Sequence, residues 1–105
     1  MITETQNKNI EINYISTESH GYAIISRYDL KGWQIDPCEF SEFSYYNFET
    51  ACVYLEEDCD LPKLHKLLRE KGFEVSFNES HANLFFNHPN FTRLTKQFSL
   101  NIERY

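Results

Sequence analysis

The sequence predicts an α+β fold, an antiparallel sheet of about five to six strands with one main helix, at about residues 61–71, packed on one face. Period-two alternation of apolar residues recurs at Ile10, Ile12 and Tyr14 and again at Phe73, Val75 and Phe77, the pattern of strands with one buried face. Between these runs Leu61, Leu64, Leu67 and Leu68 draw a single helical stripe. The 105 residues include three Gly and three Pro and are 41% hydrophobic, which leaves no room for a linker and enough apolar material for one core. A polar, flexible N-terminal tail over 1–8 and a single domain over 9–105 are expected.

Taken in order, Ile10 to Tyr14 and the β-prone run from Tyr22 to Tyr28 form a hairpin across Ser16 to Gly21. Asp29 to Gly32 supplies a turn, with Gly32 free to take a positive φ, and Trp33 to Ile35 reads as a short third strand. Pro37 removes a backbone donor and ends that strand; Cys38 to Phe48 follows no periodicity and is the expected functional loop. Residues 49–57 match both periods, but Cys52 to Leu55 is read as a buried strand because a helix start follows directly. Asp60 can cap, Pro62 suits the first turn and Gly72 closes the helix, whose polar face carries Lys63, Lys66, Arg69 and Lys71. Beyond it, Phe73 to Phe77 and Ala82 to Asn87 predict a second hairpin turning at Asn78 to His81, ended by Pro89. Phe91, Leu94 and Phe98 then allow a short helix behind an Asn90 cap, before Leu100 and Ile102 alternate as a last strand.

The formal charge of −6 is local. No Lys or Arg stands between Lys31 and Lys63, where Asp36, Glu39, Glu42, Glu49, Glu56, Glu57, Asp58 and Asp60 contribute −8, so the remainder of the chain sums to +2. The same stretch holds Trp33, Phe40, Phe43, Tyr45, Tyr46, Phe48 and Tyr54, side chains that a solvating acidic tail lacks. This predicts an ordered, acidic, aromatic surface for docking a basic partner, with Tyr45 and Tyr46 as anchors and Asp36, Glu39, Glu42, Glu49, Glu56, Glu57 and Asp58 around them. The competing explanation is that the aromatics are core and the acids keep the domain dispersed.

Other chemistries find little support. His20, His65, His81 and His88 read as solvated or capping residues, and Cys38 as a buried, inert thiol without a local nucleophile signature. Cys52 with Cys59 and His81 with His88 are each seven apart, outside close zinc spacing, and the run Glu56 to Asp60 lacks the central glycine of a calcium loop, so no metal is expected. Gly21, Gly32 and Gly72 form no phosphate-binding loop, and no cofactor is expected. Net −6 would repel a polyanion, which disfavours direct nucleic-acid binding. The polar start, the three unpaired-looking cysteines and the lack of a membrane-length apolar run lead to a cytoplasmic protein with no membrane association.

The expectation is therefore a non-enzymatic binding protein that neutralises a basic partner by stoichiometric occlusion. Its carboxylates would stand where a nuclease toxin or another nucleic-acid-binding protein expects phosphates. An immunity protein or a phage or plasmid counter-defence inhibitor would act this way. A small enzyme or ligand-binding domain with a pocket near Cys38 or His81 is the alternative, and an oligomeric structural subunit the third reading.

Overall fold

Six strands and two helices follow one another as β1 (Asn9–Ser16), β2 (Gly21–Ser26), α1 (Arg27–Gly32), β3 (Tyr45–Asn47), β4 (Cys52–Glu56), α2 (Leu61–Glu70), β5 (Glu74–His81) and β6 (Phe91–Arg93). They belong to a computed structural model that describes residues 9–94. All six strands lie in one sheet in the order β5-β1-β2-β4-β3-β6. It is a mixed sheet and not the antiparallel one expected: β5 runs parallel to β1 from Asn9↔Glu74 to Ser16↔His81, while every other neighbouring pair is antiparallel. The reason lies in the connection. A chain that leaves β4 through a ten-residue helix returns to the sheet as a crossover, and a crossover sets down a strand in the direction it left.

That crossover also removes the predicted second hairpin. Glu74 to His81 stays extended beside β1 instead of turning at Asn78, and Ala82 to Asn87 forms no strand. At the other sheet edge Phe91–Arg93 pairs with β3, where a short helix was expected; Phe48 N–H donates to Asn90 O and Leu94 N–H to Ser44 O, so backbone pairing fixes this segment as extended. Phe98, Leu100, Ile102 and the tail 1–8 lie outside the described residues.

The hairpin of β1 and β2 forms as expected, its turn closed by the Thr17 hydroxyl, which accepts from Ser19 and His20 N–H. After β2 the chain departs from the expected strand and turn. Ser26 Oγ accepts from Asp29 N–H at 3.0 Å and caps α1, so the chain coils where Tyr28 was read as strand. Trp33 to Ile35 forms no strand either, because Trp33, Gln34 and Ile35 donate back to Asp29, Lys31 and Leu30 carbonyls and wrap the helix end. Gln34, not Gly32, takes the positive φ of that wrap. Pro37–Glu39 forms a 3₁₀ turn capped by Asp36, and β3 lies inside the stretch expected to be irregular.

The core occupies one side of the sheet. Ile12, Ala23, Ile25, Tyr46, Val53 and Leu55 face Leu64 and Leu68 of α2, with Leu30, Ile35, Phe40 and Leu94 closing the periphery. Burying Leu64 and Leu68 contributes about 2 kcal/mol each. Leu61 and Leu67 pack at the margin, as the stripe predicts. Gly72 ends α2 with φ +93, and Phe73 N–H reaches back to Leu68 O. Among the described residues no helix is long and apolar enough to cross a membrane.

Asp60 precedes α2 but makes no side-chain cap to it. Its fully buried carboxylate accepts instead from Ser41 N–H, Ser41 Oγ and Ser44 Oγ, with Lys63 Nζ at 3.6 Å. Ser44 Oγ in turn accepts from Glu56 N–H. Asp60→Ala would leave these donors unmatched, and we expect it to lower unfolding free energy by about 3 kcal/mol, seen as a lower urea midpoint at unchanged slope. A loss below about 1 kcal/mol would show that the loop is held by other contacts.

Candidate functional site

The end of β4 gathers the densest set of ionisable groups among the described residues. Consecutive residues of a strand point to opposite faces, so Glu56, Glu57 and Asp58 converge only because the strand breaks into a turn there. Glu56 makes that turn: its Oε1 accepts from Asp58 N–H at 3.0 Å and Cys59 N–H at 2.9 Å, while its Oε2 stands 3.5 Å from His20 Nδ1. Glu57 turns toward the β1–β2 hairpin, its Oε1 accepting from Gly21 N–H at 3.0 Å and its Oε2 from the Tyr14 hydroxyl at 2.6 Å. Gly21 is required there, since a side-chain carbon on it would fall on the Tyr14 phenol.

Donor atoms of His20, Glu56, Glu57 and Asp58 lie within 4.8 Å of one another. The arrangement is chemically capable of meeting a cation. Its two inner carboxylates, however, already serve the protein's own N–H and O–H groups, which accounts for their placement.

The predicted docking residues divide. Asp36, Glu39, Glu42, Glu49 and Asp58 are exposed, but Glu56 is only 6% exposed and Tyr46 is fully buried beneath the sheet. Tyr46 thus belongs to the core, as its alternation with Tyr45 on a central strand requires, and cannot anchor a partner. Tyr45 points to the opposite face, stacks on Phe86 at 4.0 Å between ring centroids and lies under the Arg93 guanidinium. Asp36 is spent partly on Cys38 N–H, and Glu49 on Asn90 Nδ2. Because β3 and β4 are antiparallel, Glu42, Phe43 and Asp58 emerge at one end of the strands, and Phe48 and Glu49 at the other. Lys63 Nζ, 3.5 Å from Glu39 O, brings Glu39 to the first end.

Two features escape the sequence reading. One is the Tyr14–Glu57–Gly21–His20 corner, whose members stand up to 43 residues apart. The other is an aromatic cluster on the second sheet face, where Phe86 covers Tyr22, Tyr45, Tyr54 and Phe91. The unbroken apolar run Tyr22 to Ile25 is the signal that could have disclosed it, because a strand apolar on both faces needs two covers. Burial pushes the Tyr22 and Tyr54 phenols up. Cavities of 410 Å³ (His65, Arg69, Gly72, Phe73, Glu74, Val75) and 310 Å³ (Tyr14, Leu61, Phe77, Glu79) flank β5, and neither Cys38 nor His81 lines them. No protein family, curated protein or solved structure matches the chain.

Burial, the hydrogen bond to Glu57 and the charges of Glu57, Glu79 and Asp58 push the Tyr14 phenol up to about 12. The folded protein keeps this proton where the unfolded chain, near 10 (about the ordinary value), has lost it. The resulting stability is complete below about pH 10 and is lost as pH rises toward about 12. We expect the stability difference between the native protein and Tyr14→Phe to shrink across that window in urea unfolding. The difference in ultraviolet tyrosinate titration between the two should show one phenol near 12; a phenol near about 10 would break the assignment.

Proposed function

We propose that this chain is an acidic binding protein that neutralises a basic partner by stoichiometric occlusion, docking through the end of the sheet at which Glu39, Glu42, Phe43 and Asp58 emerge. The observation that carries the reading is the pairing of three exposed carboxylates with an exposed apolar ring, Phe43 at 57% exposure, in a stretch without Lys or Arg between positions 31 and 63. An exposed aromatic desolvates readily on contact and supplies the affinity that rim charges do not. The carboxylates supply orientation and rate.

Support also comes from how the surface is held. Asp60 ties Ser41 and Ser44 to the start of α2, and Glu56 shapes the turn that presents Asp58. Carboxylates on so fixed a frame need little ordering when a partner arrives, which lowers the entropic cost of binding. A nuclease toxin or another nucleic-acid-binding protein presents cations spaced for phosphates, and these carboxylates would occupy such positions. One copy would silence one partner, without turnover.

Capture from the native host tests this. The bound protein should be basic and should be released as salt rises, since the attraction is screened over about 10 Å at 0.1 M ionic strength. The combined change Glu39→Gln, Glu42→Gln and Asp58→Asn should abolish capture while leaving the fold intact, because these side chains are exposed. Phe43→Ala should weaken binding by about 2 kcal/mol. Full capture by the triple variant, or silencing of the partner at far below one molar equivalent, would overturn the occlusion mechanism.

A further inference from the structure

We propose that β5 is an interface through which two copies of this chain pair edge to edge, antiparallel, about a two-fold axis at Phe77. Among the described residues β5 is the outermost strand, eight residues long and in unbroken register with β1. Glu74–His81 contains no Pro, no Lys and no bulge, and its charges are the carboxylates of Glu74 and Glu79, so an edge partner must offer a cation to Glu79. The opposite edge, β6, is only three residues long.

The direction of its free backbone groups can be assigned. Ala82 N–H donates to Ser16 O, and Ser80 O accepts from Ser16 Oγ, so the even-numbered residues face β1. Backbone polarity alternates along a strand, which turns the N–H and C=O of Val75, Phe77 and Glu79 outward. The side chains of these same three residues lie on the α2 side, where Val75 packs on the core and Phe77 meets His65 edge to face at 6.2 Å.

A two-fold axis maps each face of the sheet onto itself, so facing residues must share a face. With the axis at Phe77, that ring faces Phe77 of the second copy, Val75 faces Glu79, Ser76 faces Asn78 and Glu74 faces Ser80. Each outward pair exchanges two backbone hydrogen bonds. No like charges oppose one another, and Phe77, 40% exposed in the single chain, gains a ring to pack on. An axis at Asn78 would instead set a carboxylate against each Phe77.

Charge complementarity selects a second copy as the occupant. Glu79 of the second copy, facing Val75 on the α2 side, comes to the 410 Å³ cavity whose wall holds Arg69 and His65, with Glu74 on the same wall but paired across the axis with Ser80 of the second copy. Symmetry makes the contact reciprocal, so each copy's Glu79 meets the other's Arg69. This interface does not depend on the docking role of the acidic sheet end.

Sedimentation equilibrium of the full chain should find a dimer. Glu79→Arg and Arg69→Glu should each weaken dimerisation by at least about tenfold, with circular dichroism unchanged, and combining them should restore it, because the pair is then reversed rather than lost. Amides of Val75, Phe77 and Glu79 should gain hydrogen-exchange protection as protein concentration rises. A monomer at every concentration overturns the proposal, as does a dimer indifferent to Glu79→Arg or a double variant that stays dissociated.

Discussion

A buried carboxylate organises this fold. Asp60 has no contact with solvent, and a charge so placed is tolerated only when its oxygens are fully engaged. The donors it recruits come from Ser41 and Ser44 in the loop before β3, while Ser44 passes the linkage on to the β4 backbone at Glu56. Entry to β3, exit from β4 and entry to α2 thereby meet at one point. That junction ties the β3–β4 hairpin to the start of α2, whose Leu64 and Leu68 then pack on the core.

Burial divides the acids of this stretch into two groups. Glu56 and Asp60 serve the fold, each accepting hydrogen bonds that close a turn or tie a loop, and Glu57 links two hairpins through Gly21 and Tyr14. Of the outward acids, Asp36 accepts locally from Cys38 N–H and Glu49 from Asn90 Nδ2, forty-one residues away. A composition of −8 over the stretch therefore overstates the charge available at the surface, and the proposed docking end rests on three carboxylates and one ring. The dense packing of acids is made tolerable by backbone N–H and hydroxyl donors, with Lys63 beside Asp60 as a nearby cation.

The two sheet faces are closed differently. Helix α2 and the α1 segment cover one with aliphatic side chains; the connection from β5 to β6 covers the other with Phe86. That connection must cross from one sheet edge to the opposite one, because β5 and β6 are the two terminal strands. Tyr22, Tyr45 and Tyr54 come from three adjacent strands and share this cover, with rings set edge to face or stacked as their quadrupoles favour.

Local pattern by itself determined the α+β class, the β1–β2 hairpin and the limits of α2, because periodicity, Pro62 and Gly72 act within a few residues, whereas residues 49–57 match both periods and read as strand only through the helix start that follows. It also located the acidic stretch. Only the tertiary structure decided that β5 lies parallel to β1, that Gln34 and not Gly32 turns the chain after α1, and that Tyr46, Glu56 and Asp60 face inward. Strand direction depends on a crossover from β4 past β2 and β1 to the sheet edge, and the burial of an acid depends on donors such as Ser41, nineteen residues away along the chain. Neither leaves a mark on the spacing of neighbouring residues, and so neither could be read from it.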